Sequence, residues 1–211
     1  DRPNLIGIRS TMDMPDVFND IFVISWIQSK IPDGIQVKVI QNWLNRNFYT
    51  GQNGSKLAET GQVDMDTQFA INSYKSTVGT ERFKFYTMTT DPGVYWLNYP
   101  MNNFGTSVMK PGQYQNCWSL GYHRGQKDHP ALVQTEPITV YRDKDLDNTA
   151  EETGTTQTGL FGINIHGASK TGTSQRIDRY SAGCQVFSSR KNLFDVLALL
   201  HLYRKVTNNK F

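Results

Sequence analysis

Residues 162 to 187 read GINIHGASKTGTSQRIDRYSAGCQVF. The segment begins as an apolar strand ending at His166, continues as a loop rich in Gly, Ser and Thr, and closes with the turn SAGC at 181 to 184. A thiol is an effective nucleophile only as a thiolate, so it needs a nearby base or a positive field. Histidine is the side chain best suited to be that base near neutral pH. The pattern therefore predicts a catalytic pair of Cys184 and His166.

Gly183, directly before the cysteine, is predicted to leave room for a substrate. Without a Cβ it lets a carbonyl group approach, and the backbone N–H groups around Gly183 and Cys184 can hold an oxyanion. The alternative is that a Cys beside a Gly only packs and that a His at a strand end is only structural. The spacing and the turn glycines together favour the catalytic interpretation.

The same residues resemble the L,D-transpeptidase (YkuD-type) catalytic domain. That family's signature is a His, fourteen to seventeen residues, then Ser or Thr, His, Gly and Cys, and fourteen residues separate His166 from Ser181 here. The resemblance implies that Cys184 is the nucleophile and His166 is the general base. It also implies that Ser181 supplies an accessory hydroxyl, that Gly183 supplies an oxyanion-hole amide, and that the Gly167 carbonyl orients the base. Ala182 replaces the family's second His, which is not its general base, and Gln185 also departs from the usual ending.

Further segments resemble a phage and prophage branch of this fold; they are TTDPG (89 to 93), GYHRG (121 to 125), ALVQ (131 to 134) and VYRD (140 to 143). The transpeptidase signature implies action on bacterial peptidoglycan, and the phage-like segments suggest the setting. The protein would then be a phage lysin or a virion-associated lytic enzyme that acts in the periplasm or cell wall, present before lysis in the virion or the host cytoplasm.

The expected reaction is hydrolysis of peptide stems or cross-links through a Cys184 acyl-enzyme. The alternatives are an L,D-transpeptidase that forms cross-links and a catalytically silent wall-binding or virion structural protein. Candidates for substrate contact are His123, Arg124, Gln185 and Asn164.

The chain has three further histidines, at positions 123, 129 and 201. His123 either lines the site or simply ends a strand, while His129 and His201 are expected to be structural or solvated. A zinc site of His123, His129 and His166 lacks recognisable ligand spacing. We expect no metal and no cofactor.

Residues 142 to 158 are polar and without periodicity, which predicts a surface loop. Asp143, Asp145 and Asp147 alternate as in the first half of a calcium loop. Asn148 stands where such a loop has Gly, and Gly154 where it has a bidentate Glu. A solvated acidic loop is therefore expected.

A helical module is predicted inside a β-rich domain. Residues 19 to 28 and 81 to 89 have strand composition and would form a hairpin, while 35 to 45 and 66 to 74 have helical spacing. We therefore predict a catalytic domain of residues 1 to 30 and 80 to 211 that is interrupted by a module of residues 31 to 79.

The module resembles a peptidoglycan-binding module. The sequence motif of that module is V-x-x-L-Q-x-x-L-N, then a loop, then G, T, an Ala followed by a hydrophobic residue, and a closing aromatic residue. The matching positions are Val37, Ile40, Gln41, Leu44, Asn45, Gly61, Thr67, Ala70, Ile71 and Tyr74. The resemblance implies wall-binding residues Gln41, Trp43, Asn45, Thr67 and Tyr74. Any amphipathic helix pair shows similar apolar spacing, which is the alternative.

The remaining elements predict the fold class. Short strands are expected at Val94 to Leu97 and at Leu160 to Ile165, and a terminal helix begins after Ser188 or Ser189. Its apolar face comprises Leu193, Val196, Leu197, Leu200 and Tyr203. The prediction is a mainly β (α+β) sandwich or barrel with a C-terminal helix.

Composition excludes several classes. A chain of 211 residues that is 37% hydrophobic can bury one core and a small satellite. The longest apolar run, 21 to 27, is far shorter than the roughly 18 to 20 residues that a bilayer helix needs. Lys and Arg are scattered and the net charge is only +3, so nucleic-acid binding is not expected.

Overall fold

The computed structural model describes residues 2 to 12, 14 to 31 and 33 to 211. The protein is mainly β, with a curled sheet and a C-terminal helix, which confirms the predicted fold class. The strands are β1 (Asn4–Ile8), β2 (Asp20–Ile27), β3 (Glu81–Thr89), β4 (Thr106–Met109), β5 (Trp118–Tyr122), β6 (Pro130–Gln134), β7 (Ile138–Asp143), β8 (Thr156–Gly159), β9 (Ile165–Gly167) and β10 (Gln185–Phe187). The helices are α1 (Val37–Arg46), α2 (Met65–Lys75), α3 (Val94–Asn98) and α4 (Arg190–Tyr203).

The strands form two sheets. The larger has the order β1-β2-β3-β10-β9-β6-β5, and the smaller has the order β4-β7-β8. The two predicted strands of the hairpin, β2 and β3, are neighbours in the larger sheet. Strands β9 and β10 pair in parallel, with Val186 opposite His166. This parallel pair brings the two ends of the 162 to 187 segment together.

Helix α4 packs against strands β5, β6, β9 and β10. Its predicted apolar face is confirmed, since all five of its residues are buried. Burying such a stripe provides most of a helix's stability in a protein. The helix therefore supports β9 and β10 beneath the site.

Contacts divide the chain into two compact units, one of residues 26 to 82 and one of residues 2 to 25 with 83 to 211. In the smaller unit, α1 and α2 enclose a cluster of three aromatic rings. The Trp43 ring stacks on Tyr49 with centroids 6.0 Å apart and meets Tyr74 edge-on at 5.3 Å. The predicted module, 31 to 79, falls within this unit.

Two strand predictions were wrong. Residues 94 to 98 form helix α3, and a run of four apolar and aromatic residues is too short for its periodicity to distinguish strand from helix. The chain between β8 and β9 is irregular, because the Gln134 side-chain oxygen accepts hydrogen bonds from the N–H groups of Phe161 and Ile163 at 3.1 and 2.9 Å. A side chain thus satisfies donors that would otherwise favour a strand ladder.

Candidate active site

The parallel pairing of β9 and β10 places Cys184 and His166 on the same side of the sheet. Cys184 lies directly before β10, and the next residue donates its N–H to the Asn164 carbonyl at 2.9 Å. Side chains alternate along an extended chain, so Cys184 projects to the side of Val186, which is opposite His166 in the register. Sulfur and imidazole therefore meet although eighteen positions separate them in the sequence.

The imidazole of His166 is held in one orientation. Its side chain is only 2% exposed, and Nδ1 lies 2.9 Å from the Gly167 carbonyl oxygen. Since a carbonyl only accepts, Nδ1 carries the proton and Nε2 has the lone pair. Nε2 is buried and has no hydrogen-bond partner among the residues that the structure describes. A ligating nitrogen of His166, one of His123 and the Cys184 sulfur all lie within 4.8 Å of one another.

The Cys184 thiol is partly buried and packs against an apolar cluster that comprises Phe18, Ala168, Ile177 and Val186. Burial raises the pKa of the thiol, while a backbone hydrogen bond from Asn164 and the positive charge of Arg124 act in the opposite direction. The thiol also lies 3.6 Å from the Gly162 carbonyl oxygen, to which it donates. The resting sulfur is therefore protonated at neutral pH.

Three histidine rings form one cluster. The ring centroids of His123 and His166 are 4.0 Å apart, and that of His129 lies 5.2 Å from His166 and 5.0 Å from His123. His129 Nε2 lies 3.1 Å from the Gly167 carbonyl oxygen, which therefore accepts from two imidazoles. His129, which the sequence predicted to be structural or solvated, thus lies in the same cluster as His166 and bonds to the same carbonyl. Strands β5 and β6 form a hairpin whose facing ends are His123 and His129.

Asn164 fixes the tautomer of His123. Its side-chain oxygen accepts the Gln134 backbone N–H at 2.9 Å, so its amide nitrogen must face His123 Nδ1, at 3.1 Å. An amide nitrogen only donates, so Nδ1 is the acceptor and Nε2 of the neutral ring carries the proton. Asn164 is thus a positioning residue, buried beneath His123 rather than lining the site.

The imidazoles of His166 and His123 are both neutral at pH 7. Burial, followed by the neighbouring His123, lowers the pKa of His166 to about 3. Burial, followed by His129, lowers the pKa of His123 to about 4. Each ring keeps one proton and stays uncharged, because charging one ring beside the others in a desolvated site is unfavourable. The resting pair is consequently thiol and neutral imidazole, not thiolate and imidazolium.

The turn before Cys184 requires glycine. Gly183 has φ 117°, and a Cβ there would lie 2.5 Å from the Ser107 carbonyl oxygen, which is closer than real contacts allow. Ser181 is fully buried, and its hydroxyl donates to the Cys184 carbonyl at 2.8 Å while accepting the Gly183 N–H at 3.2 Å. The Ser181 hydroxyl therefore shapes the turn, as an accessory role would require.

The two backbone N–H groups predicted for an oxyanion hole, those of Gly183 and Cys184, differ in their partners. That of Gly183 donates within the turn, to the Ser181 hydroxyl. The Cys184 N–H, in contrast, donates to no group within the described part of the chain. The Cys184 amide is therefore the one that could stabilise an oxyanion.

The remaining predicted substrate-contact residues lie in different places. Arg124 is exposed, in the short 3-10 turn after β5, and lies near enough to Cys184 to affect its pKa. Gln185 is 7% exposed and donates to the Thr90 carbonyl at 3.4 Å. It lines a cavity of about 800 Å³ together with Ile165. Both residues alternate with His166 and Val186, so this cavity and the Gln185 side chain lie on the opposite face of the sheet from the thiol.

The five predicted wall-binding residues form the interior of the smaller unit. Gln41 and Thr67 have no exposed surface, and they bond to each other at 2.9 Å. The Asn45 side chain both donates to and accepts from the Leu57 backbone, at 2.9 and 2.7 Å. With Trp43 and Tyr74 in the aromatic cluster, these residues hold the unit together. Any wall contact is left to exposed side chains, which include Phe48, Met65 and Phe69.

Within the described ranges, no helix is long and apolar enough to cross a membrane. Comparisons with protein-family models, with curated proteins and with solved structures found no match to this chain.

Proposed function

We propose that this chain is a cysteine peptidase that cleaves peptide stems or cross-links of bacterial peptidoglycan through an acyl-enzyme on Cys184. The observation that carries the proposal is the His166 imidazole, whose Nδ1 is held by the Gly167 carbonyl and whose buried Nε2 has no partner among the described residues. One of its ring nitrogens lies within 4.8 Å of the sulfur of the partly exposed Cys184 thiol. A buried acceptor left without a partner costs about 1 to 3 kcal/mol, so such a group favours a functional explanation. The choice of peptidoglycan rests on the resemblance of the 162 to 187 segment to L,D-transpeptidases.

In the proposed reaction, His166 Nε2 takes the thiol proton as the Cys184 sulfur attacks the carbonyl carbon of a peptide bond. Collapse of the tetrahedral intermediate breaks the C–N bond, and the proton passes from Nε2 to the leaving amine. A thioester remains on Cys184. Water then attacks it, gives a proton to Nε2 and releases a carboxylic acid, while the sulfur regains its proton.

Two donors would stabilise the oxyanion. One is the Cys184 N–H, and the other is the Nε2 proton of His123, whose tautomer Asn164 fixes. A neutral imidazole with its proton on Nε2 can donate a hydrogen bond from that atom, and donors fixed in place need no reorganisation during the reaction. The exposed guanidinium of Arg124 adds a positive field that favours both thiolate and oxyanion.

Digestion of purified sacculi tests the function. We expect released muropeptides, identified by mass spectrometry, to carry one ¹⁸O in a new carboxyl group when the digestion is run in H₂¹⁸O. Addition of a D-amino acid distinguishes the alternative, because a transpeptidase would incorporate that amine instead of water. Sacculi that yield neither product at any enzyme concentration would exclude both activities and favour a catalytically silent wall protein.

Substitution of His123 tests the second oxyanion donor. His123→Phe keeps a ring in the cluster but removes the donor, so kcat should fall by about 10²- to 10³-fold while KM changes little. The matched control is His201→Phe at an exposed position of α4, which should leave both constants unchanged. A His123→Phe enzyme that raises KM without lowering kcat would show that His123 only binds substrate.

Deletion of residues 31 to 79, with Asn-Gly in their place, tests wall binding by the module. Gln28 and Thr80 already face each other, because the Gln28 N–H donates to the Thr80 carbonyl at 2.9 Å. A four-residue connection of Ser29, Lys30 and the inserted Asn-Gly can therefore join the strands. We expect weaker co-sedimentation with sacculi but unchanged cleavage of a small soluble muropeptide. Unchanged sedimentation would argue against the wall-binding role, and an unfolded product would show that the module is needed by the core.

A further inference from the structure

Three carboxylates converge at the end of β7, away from the cysteine. Asp143 is the last residue of that strand, and Asp145 and Glu151 belong to the loop that follows. Each offers an oxygen, and these oxygens lie within 4.8 Å of one another. Asp143 is only 3% exposed, so the expectation of a fully solvated acidic loop was wrong for this residue. Its inward orientation follows from its place in the strand, next to β4.

Two of the carboxylates are incompletely satisfied. One oxygen of Asp143 accepts the Glu151 N–H at 3.1 Å, and one oxygen of Glu151 accepts the Thr149 hydroxyl at 2.8 Å. The second oxygen of each, Oδ1 of Asp143 and Oε2 of Glu151, is buried and has no hydrogen-bond partner among the described residues. Burying an ionised carboxylate without a partner is strongly unfavourable. The pair therefore requires a proton or a cation.

The chain itself does not supply that cation. Over residues 2 to 12, 14 to 31 and 33 to 211, no Lys, Arg or His forms an ion pair with Asp143, Asp145 or Glu151. Burial and the adjacent Glu151 carboxylate raise the pKa of Asp143. The reason is that a second negative charge is unfavourable beside the first where both are shielded from water. The neighbouring Arg142 is directed elsewhere, to the side chains of Gln157 and Ser107.

We propose that Asp143, Asp145 and Glu151 form a binding site for a divalent cation, and that the cation is Ca²⁺. Carboxylate oxygens are the ligands that hard cations prefer. Oxygens on opposite sides of a Ca²⁺ ion are about 4.6 to 5.2 Å apart, because each bond is about 2.3 to 2.6 Å long. The three side chains can therefore reach one Ca²⁺ together. Mg²⁺ demands shorter bonds in a stricter octahedron and fits an irregular loop less well.

The site would stabilise the loop and the strand behind the cysteine turn. Asn98 of α3 donates to the Asp147 carbonyl at 3.1 Å and to the Asn148 side chain at 2.9 Å, so this loop is anchored to the helix. Asp143 pairs with Thr106, and the next residue of β4, Ser107, is the one that contacts Gly183. Ca²⁺ is thus expected to act on stability rather than on the chemical step.

Calorimetric titration of the full chain with CaCl₂, after removal of metal by a chelator, tests the site. We expect one ion per chain and a rise in Tm on adding Ca²⁺. Asp145→Asn should weaken Ca²⁺ affinity by at least about tenfold, since ligand charge sets affinity in such sites. Asp147→Asn is the matched control, because it makes the same charge change in the same exposed loop at a residue outside the cluster. It should leave the affinity within about threefold of that of the unmodified chain.

A second variant separates binding from folding. Asp143→Asn removes a buried like-charge contact, so Tm in chelator should rise or stay unchanged while the Ca²⁺-dependent rise is lost. Absence of binding at about 10 mM Ca²⁺, beyond the weakest ordinary sites, overturns the proposal. Tight binding of Mg²⁺ without Ca²⁺ overturns the choice of ion, and equal weakening by Asp145→Asn and Asp147→Asn shows diffuse attraction instead of a site. These outcomes do not depend on whether the chain cleaves peptidoglycan.

Discussion

Cys184→Ala is expected to abolish release of muropeptides while the protein remains folded. The substitution removes the sulfur that forms the proposed thioester, so this covalent intermediate cannot arise. It removes one sulfur from a partly exposed position, which costs about 1 kcal/mol or less of unfolding free energy. Circular dichroism and the Tm should therefore match the unmodified protein, while sacculus digestion falls to background.

The second cysteine provides the control. Cys117 is buried beside β5, and its thiol lies 3.5 Å from the Gln115 carbonyl oxygen. Cys117→Ala should lower stability more than Cys184→Ala does and yet retain full turnover. If Cys184→Ala digests sacculi at the unmodified rate, the nucleophile assignment is wrong.

His166→Gln is expected to lower kcat by about 10²- to 10⁴-fold, the usual cost of losing a general base. Glutamine has a similar length and can still donate to the Gly167 carbonyl, so the backbone of β9 should be preserved. It cannot take the thiol proton. His129→Gln is the informative comparison, because it makes the same change at the other imidazole that donates to the Gly167 carbonyl but leaves the base in place. The decrease in kcat should be clearly smaller than for His166→Gln. A His166→Gln enzyme with more than a tenth of normal activity would contradict the assignment.

The pH profile gives an independent test of His166. Its pKa is lowered from 6.5 to about 3, so the base form persists as the pH falls and is lost only as pH approaches 3. We therefore expect no acid limb near pH 6.5 in kcat/KM. Because burial raises the pKa of Cys184, thiolate absorbance at 240 nm should be absent at pH 7 and appear only in alkaline solution. Thiolate at pH 6 would instead indicate a resting ion pair.

The same lowered pKa makes the fold sensitive to acid. Between pH 6.5 and about 3, His166 is protonated in the unfolded chain but not in the folded chain. The contribution of His166 to the free energy of unfolding is therefore fully present above pH 6.5 and is lost progressively as the pH falls from 6.5 towards 3.

Phenanthroline should leave turnover unchanged, since the proposed chemistry uses no transition metal.

Local patterns in the sequence were enough to predict the elements with clear periodicity. Strands β2 and β3, helices α1 and α2, and the apolar face of α4 all lie within a residue or two of their predicted bounds. Periodicity reports which side of an element is apolar, and that information is contained in a few consecutive turns or pleats. The pairing of His166 with Cys184 was predicted from spacing and glycines, because both residues belong to one segment.

Tertiary structure decided everything that depends on pairing between distant strands. The hairpin that brings His123 and His129 over His166 is specified by the register of β5, β6 and β9, which no local pattern contains. The same holds for Asn164, whose role follows from a bond to Gln134 thirty residues away.

Burial was the other property that local patterns could not provide. Gln41 and Thr67 looked like surface groups, yet they bond to each other inside the smaller unit, because polar residues are buried when a partner across the fold satisfies them. Asp143 looked solvated but turns inward at the end of β7. Whether a polar side chain meets water, a partner or an ion is decided by the elements that pack around it, and those elements come from elsewhere in the chain.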